Sequence, residues 1–216
     1  MKKGIGLGID DFRQIIKEDC YYFDKTNWIE ELLKDRSQIK LFTRPRRFGK
    51  TLNMSTLKYF FDVKNAEENR KLFKDLHIEK SEYFKEQGQY PVIFISLKDL
   101  KKNTWEDAFF ELKALLREVY EEHSYVKEKL SDIEKEEYDK ILMKTEDAEY
   151  GRALRNLTKY LHTYYQKEVV LLIDEYDNPL IVANTFNYYK EAINFFRDFF
   201  STALKTNPYL KTAVLT

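Results

Sequence analysis

The sequence predicts an α/β fold in which a mainly parallel β-sheet is flanked by helices in three layers. Residues 92–97 and 169–173 are short apolar runs rich in β-branched side chains, which is the composition of buried parallel strands. Helical patterns lie between these runs. This alternation of strand and helix is typical of a parallel sheet that is covered on both faces.

Two further segments lie where the alternation requires strands. Residues 39–43 and 212–216 are short apolar runs placed before the first helical pattern and after the last one. They are weaker than the other two, because each is short and partly polar. With them, the sequence predicts four strands.

Amphipathic patterns predict the main helices. Apolar side chains recur at spacings of three and four over residues 52–61, 105–120 and 189–204. Thr104 precedes the second pattern as a candidate N-cap. Residues 121–149 are highly charged and are expected to form helices that face solvent.

The bulk properties exclude several classes of protein. Lys plus Arg and Asp plus Glu both total 37 in 216 residues, so no net field indicates a nucleic-acid or membrane-surface protein. Cys20 is the single cysteine, and no signal peptide or apolar run of about 20 residues is present. We expect one cytoplasmic domain over residues 1–216, with no membrane partner.

A candidate phosphate-binding loop, R-P-R-R-F-G-K-T, follows the first predicted strand at residues 44–51. A loop at a helix N-terminus points backbone N–H groups at an anion, and Gly49 allows a close backbone approach. Lys50 would reach the β- and γ-phosphates of ATP, and the Thr51 hydroxyl would ligate Mg²⁺. The predicted cofactor-binding residues are Pro45, Arg46, Arg47, Phe48, Gly49, Lys50, Thr51 and Leu52.

The loop departs from the pattern G-x-x-x-x-G-K-[ST] at its first position, where Arg44 replaces glycine. Pro45 is expected to fix part of the turn instead, while the arginines add positive charge around the phosphates. The alternative is a basic helix start with ordinary packing, because the string G-K-T is short. A second motif is needed to decide between them.

That second motif is V-V-L-L-I-D-E-Y-D, residues 169–177. It predicts Asp174 at the carboxyl end of a strand, the edge at which parallel sheets bind ligands, where its carboxylate could hold Mg²⁺. Glu175 would orient or deprotonate the attacking water and is the predicted catalytic residue. The alternative is an acidic pair that ends a strand in solvent. The two motifs together favour a nucleotide site in a P-loop NTPase fold.

Read together, six segments resemble the bacterial AAA-ATPase-like family, a branch of the P-loop ATPases. The resemblance covers nearly the whole chain, and the segments occur in the same order and spacing. They are I-D-D-F-R (9–13), Y-Y-F-D-K-T (21–26), L-F-T-R-P-R-R-F-G-K-T (41–51), Y-P-V-I-F-I-S-L-K-D (90–99), L-I-D-E-Y-D-N-P-L (172–180) and L-K-T-N-P-Y-L-K-T-A-V-L-T (204–216).

The resemblance implies several further properties. The family uses arginines where other P-loops begin with glycine, and Thr216 would close the strand that supplies a polar sensor to the γ-phosphate. Members often carry a C-terminal nuclease-like domain of the PD-(D/E)XK type. That domain and the arginine segment after the sensor strand are missing here, so the resemblance implies a domain truncated after that strand, with nucleic acid a partner only through the missing domain.

Two functions follow from these motifs. The first is an ATPase that hydrolyses Mg-bound ATP; the second is a nucleotide-gated module that binds ATP or ADP with little turnover, serving a homo-oligomer, a protein partner or a nuclease-like partner. Residues 21–25 could form an aromatic platform for the adenine, or simply pack in the core. Arg197 could serve a neighbouring subunit, or lie on a solvated helix face.

Overall fold

The structure, a computed structural model, describes residues 3–43, 45 and 48–216. Its strands are β1 (Ile39–Leu41), β2 (Val92–Ser96), β3 (Val169–Asp174) and β4 (Leu210–Leu215). They form one sheet with the order β1–β4–β3–β2, and each neighbouring pair is parallel. The carboxyl ends of all four strands therefore lie at the same edge of the sheet.

Helices connect the strands and pack on the sheet. They are α1 (Phe12–Lys17), α2 (Asn27–Lys34), α3 (Lys50–Phe61), α4 (Ala66–Arg70), α5 (Trp105–Glu122), α6 (Asp132–Met143), α7 (Ala153–Tyr165), α8 (Asn178–Thr185) and α9 (Tyr189–Leu204). Short 3₁₀ helices lie at Lys71–Phe73, His77–Lys80, Glu82–Glu86, Ser124–Lys129 and Tyr150–Arg152.

The four predicted strands and the three main predicted helices are present. At the N-terminus of α5 the Thr104 side chain accepts a hydrogen bond from the Asp107 N–H, as an N-cap does. Two strand bounds differ from the predicted ones. The edge strand β1 ends at Leu41 rather than at residue 43, and the inner strand β4 starts at Leu210 rather than at residue 212. In the described sheet β1 has a single neighbour, so its pairing stops where β4 stops.

Alternating side chains of the strands enter two apolar cores, one on each face of the sheet. Ile93, Leu171, Ile173 and Ala213 belong to one core, together with buried residues of α5, α7 and α9. Val92, Val170, Leu172 and Val214 belong to the other core, together with residues of α1, α2 and α3. A strand buried on both faces reads as a continuous apolar run, which explains the sequence of β3.

The charged segment 121–149 contributes to the core, contrary to the expectation of helices that only face solvent. Tyr138 and Ile141 on α6 are buried, as is Val126 before it. A capping box formed by Ser131 and Glu134 begins α6. The apolar side of α6 packs against α5. Few apolar residues suffice here because Tyr138 is large and buries a whole aromatic ring.

None of the helices in the described part of the chain combines the length and the apolar character that crossing a bilayer requires.

Candidate functional site

Helix α3 starts directly after the predicted phosphate loop. Gly49, the residue before the helix, has φ 74° and ψ 27°, a left-handed conformation that glycine adopts without a Cβ clash. The helix begins at Lys50, and the Asn53 N–H donates to the Gly49 carbonyl at 2.9 Å. The first N–H groups and the positive end of the helix dipole therefore face the loop, as an anion site requires.

Thr51 and Asp174 meet at the carboxyl edge of the sheet. The Thr51 hydroxyl Oγ1 donates to Asp174 Oδ2 at 2.9 Å, although the two residues are 123 positions apart in the chain. Asp174 is the last residue of β3, and Ser96 of β2 lies beside it in register. The structure thus brings the two sequence motifs into direct contact.

Asp174 is held in place on its other side as well. The Thr216 hydroxyl donates to Asp174 Oδ1 at 2.5 Å, and the Asp174 side chain is almost fully buried, with 1% of the residue exposed. Buried carboxylates need hydrogen-bond partners, and two hydroxyls supply them here. Thr216 follows β4 directly, so neighbouring strands position both groups.

The oxygen atoms of Thr51 and Asp174 fit Mg²⁺ better than a metal ion whose ligands all come from the protein. Thr51 and Asp174 offer hard oxygen atoms at the same point. Residues 3–43, 45 and 48–216 contain no group of three or more His, Cys, Asp or Glu side chains that could hold a metal ion. Mg²⁺ is commonly bound through one or two protein oxygens plus phosphates and water, so the sparse set matches its chemistry.

Glu175 has a backbone conformation that is unusual for its residue type. Its φ is 51°, in the left-handed region, which costs a non-glycine residue about 1–2 kcal/mol. Neighbouring backbone bonds hold the turn: the Tyr176 N–H donates to the Thr216 carbonyl and the Asn178 N–H to the Glu175 carbonyl, both at 3.1 Å. Seven other non-glycine residues in the described part of the chain also have a positive φ, so the conformation by itself does not mark Glu175 as a functional residue.

An open cleft of about 920 Å³ joins the two motifs. Gly49, Lys50, Thr51 and Glu175 all line it. Asp174 lies beneath this cleft through its bond to Thr51. Of the predicted site residues, Gly49, Lys50, Thr51 and Glu175 therefore share one opening, and Asp174 is hydrogen-bonded to one of them.

The remaining predicted loop residues divide between two places. Pro45 and Leu52 line the same cleft, whereas Phe48 is 59% exposed and lines an adjacent cavity of about 340 Å³. Arg46 and Arg47, predicted to add charge around the phosphates, lie outside the described residues, as does Arg44.

Sequence reasoning missed the N-terminal segment of the cleft. Gly8, Ile9 and Asp10 line it together with Glu175. The segment is fixed to α3, because the Phe12 N–H donates to Ser55 Oγ at 2.8 Å. These are tertiary contacts between α1 and α3, and the sequence signal for this segment was the I-D-D-F-R string at residues 9–13, which carries part of the family resemblance.

Other missed residues lie beyond Glu175. Lys101, Asp177 and Ile181 also line the cleft. Asn178 is buried, and its Nδ2 donates to the Leu97 and Lys98 carbonyls at 3.1 and 3.2 Å. Asn178 thereby ties the start of α8 to the end of β2.

The aromatic side chains of residues 21–25 divide between solvent and the core. Tyr21 and Phe23 are exposed, whereas Tyr22 packs edge-to-face on Phe12 at 5.2 Å between ring centroids. Burial raises the pKa of Tyr22 to about 12, which keeps its phenol neutral. Lys25 lines the 340 Å³ cavity. Arg197 is exposed on α9, in accord with a solvated helix face.

Comparisons with known proteins place the chain in a family. A family model described as "Predicted AAA-ATPase" (AAA-ATPase-like) matches residues 6–216. An "Uncharacterized protein in vnfD 5'region" from Azotobacter chroococcum mcd 1 is 26% identical over 181 residues, which cover 83% of this chain and 30% of that protein. The chain thus spans about 30% of the length of this curated relative. No solved structure matches this chain.

The family match extends over both motifs, the N-terminal segment beside the cleft and the last strand. It accords with the α/β architecture and with the meeting of residues 49–51 and 174–175 at one edge of a parallel sheet. This chain belongs to the predicted AAA-ATPase family, and its family points to an ATP-related activity.

Proposed function

We propose that the chain binds ATP with Mg²⁺ at the start of α3 and hydrolyses it, and that residues 1–216 form a three-layer P-loop NTPase domain. The observation that carries the proposal is the bond of 2.9 Å between Thr51 Oγ1 and Asp174 Oδ2. Family membership supports ATP as the nucleotide. The helices on both faces of the parallel sheet support the proposed fold.

The phosphates would lie at the N-terminus of α3. Gly49 gives the backbone room, and the Lys50 ammonium would contact the β- and γ-phosphate oxygens. Pro45, Phe48 and Leu52 would shape the loop, with Arg46 and Arg47 adding charge.

Thr51 and Asp174 would hold the metal. A Mg²⁺ ion held there would supply positive charge to neutralise the triphosphate during hydrolysis. The Thr51 hydroxyl would turn from Asp174 toward the ion, while the Thr216 hydroxyl keeps its bond to the Asp174 carboxylate and holds its orientation.

Glu175 would position the attacking water. It lines the same cleft as Gly49, Lys50 and Thr51, and the turn held by Thr216 and Asn178 fixes its backbone. A carboxylate at that place can accept a proton from water as the γ-phosphoryl group leaves. The reaction would therefore take place at the Glu175 end of the cleft.

The Thr51 hydroxyl provides a direct test of the metal site. Thr51→Ala is expected to weaken Mg-dependent ATP binding about tenfold, because it removes a hydroxyl that would contact a charged ion. Thr51→Ser keeps the hydroxyl and should bind nearly as the wild type does. Calorimetric titration of ATP with Mg²⁺ and with EDTA measures both effects. Equal Mg-dependence in the wild type and Thr51→Ala would contradict the assignment.

A further inference from the structure

Ser96 carries a buried hydroxyl group at the end of β2. Part of the residue reaches the surface, but its Oγ is shielded from solvent and has no hydrogen-bond partner among residues 3–43, 45 and 48–216. Leaving a buried hydroxyl unpaired costs free energy, and most buried polar groups in folded proteins are paired. The unpaired hydroxyl of Ser96 therefore calls for a physical reason.

The position of Ser96 indicates that reason. It is the last residue of β2 and lies in register with Asp174, the last residue of β3. Phe94, two residues before Ser96, and Leu172, two residues before Asp174, both pack in the core that α3 covers. Because side chains alternate between the faces of a sheet, Ser96 and Asp174 both point toward the helix that carries Thr51.

The spacing of the strands suits a hydrogen bond between these two side chains. Neighbouring strands lie about 4.8 Å apart, and a serine hydroxyl can rotate among three staggered positions about χ1. In the structure the Asp174 carboxylate accepts its hydrogen bonds from other groups, Thr51 on Oδ2 at 2.9 Å and Thr216 on Oδ1 at 2.5 Å. Ser96 thus lies beside a carboxylate that already has one donor on each oxygen.

Under the proposed function, one of those donors leaves. The Thr51 hydroxyl turns from Asp174 Oδ2 toward Mg²⁺, and a buried carboxylate that loses a hydrogen bond is destabilised unless another donor replaces it. Ser96 is in register with Asp174 and has a proton to donate, so rotation about its χ1 can supply the replacement.

We infer that Ser96 is a positioning residue of the metal site, whose hydroxyl donates to the Asp174 carboxylate when the Thr51 hydroxyl contacts Mg²⁺. The inference rests on the proposed function, because the metal is what draws Thr51 away. The exchange keeps two donors on Asp174 throughout: Thr51 and Thr216 before the metal binds, Ser96 and Thr216 afterwards.

Metal-dependent binding of ATP tests this exchange. Ser96→Ala is expected to weaken ATP binding in Mg²⁺ about tenfold, the loss of one hydrogen bond to a charged group. Binding in EDTA should not change, because Thr51 then keeps its bond to Asp174. Without nucleotide, the melting temperature of Ser96→Ala should equal or exceed that of the wild type, since the hydroxyl that it removes has no partner among the described residues.

Ser124→Ala is the matched control, because it makes the same change at an exposed position that does not line the cleft. Its ATP affinity in Mg²⁺ and in EDTA and its melting temperature should all equal those of the wild type.

A second measurement needs no ligand. In Thr51→Ala the Asp174 carboxylate has lost the Thr51 donor, so Ser96 should already pair with it. Adding Ser96→Ala to Thr51→Ala should therefore lower the melting temperature by about 3 °C or more, although Ser96→Ala alone does not lower it. Such non-additivity is the signature of the exchange, because a serine with a purely structural role would have the same effect in both backgrounds.

The two measurements separate the possible failures. If Ser96→Ala binds ATP in Mg²⁺ as the wild type does, or weakens binding equally in Mg²⁺ and EDTA, Ser96 does not replace Thr51, and the inference is wrong while the proposed function stands. The same conclusion follows if Ser96→Ala has one effect on the melting temperature with and without Thr51. If the folded wild type does not bind ATP with Mg²⁺, the proposed function fails and the exchange fails with it.

Discussion

Lys50→Ala is expected to weaken ATP binding by about 10- to 100-fold. The substitution removes a charge-assisted contact to the phosphates, and a hydrogen bond to a charged group contributes about 1.5–3 kcal/mol. Lys50 is the first residue of α3 and lines the 920 Å³ cleft in which we place the phosphates. Calorimetric titration with ATP and Mg²⁺ measures the affinity.

Lys58→Ala is the matched control, since Lys58 lies on the same helix in its last turn and pairs with Glu122 at 3.4 Å. It should bind ATP as the wild type does. An unchanged affinity in Lys50→Ala would show that the loop does not hold the phosphates, and an equal loss in both variants would indicate a general effect on the helix.

Glu175→Gln should lower phosphate release by about 10²- to 10⁴-fold while ATP binding is kept, because the amide has the same shape but cannot accept a proton from water. The residue lines the same cleft as Thr51, and backbone hydrogen bonds from Tyr176 to Thr216 and from Asn178 to Glu175 hold its turn. Single-turnover phosphate release, measured beside ATP affinity, separates chemistry from binding.

Glu118→Gln is the matched control for that experiment, because it makes the same change at an exposed position of α5 that does not line the cleft. It should release phosphate at the wild-type rate. If Glu175→Gln does so as well, another group positions the water. If the wild type binds ATP but releases no phosphate, the chain is a nucleotide-gated module.

The sequence predicted the framework well because strong local patterns produced it. Residues 169–173 are apolar throughout since β3 is buried on both faces, and Thr104 marks the start of α5 because its hydroxyl caps the helix. The prediction that residues 121–149 form helices that face solvent was wrong, because the many charged residues obscured the apolar face on which Tyr138 is buried. Composition averaged over such a segment does not show which face of a helix is apolar.

The candidate site could be anticipated only where it lies on strand ends. The contact between Thr51 and Asp174 follows from the rule that parallel strands share a carboxyl edge. The approach of residues 8–10 to the cleft depends on Ser55 and on the hydrogen bond from the Tyr59 hydroxyl to Asp11 at 2.7 Å, which no spacing rule indicates. The 340 Å³ cavity likewise depends on how α2 packs next to α3, which no spacing rule indicates.

The most direct test of the account is a titration of the purified wild-type chain with ATP and with ADP in the presence of Mg²⁺, followed by phosphate release from the same sample. We expect saturable binding of both nucleotides, weakened by EDTA, and release of phosphate from ATP. A folded sample that binds neither nucleotide would contradict the central claim, and the contact between Thr51 and Asp174 would then be structural only.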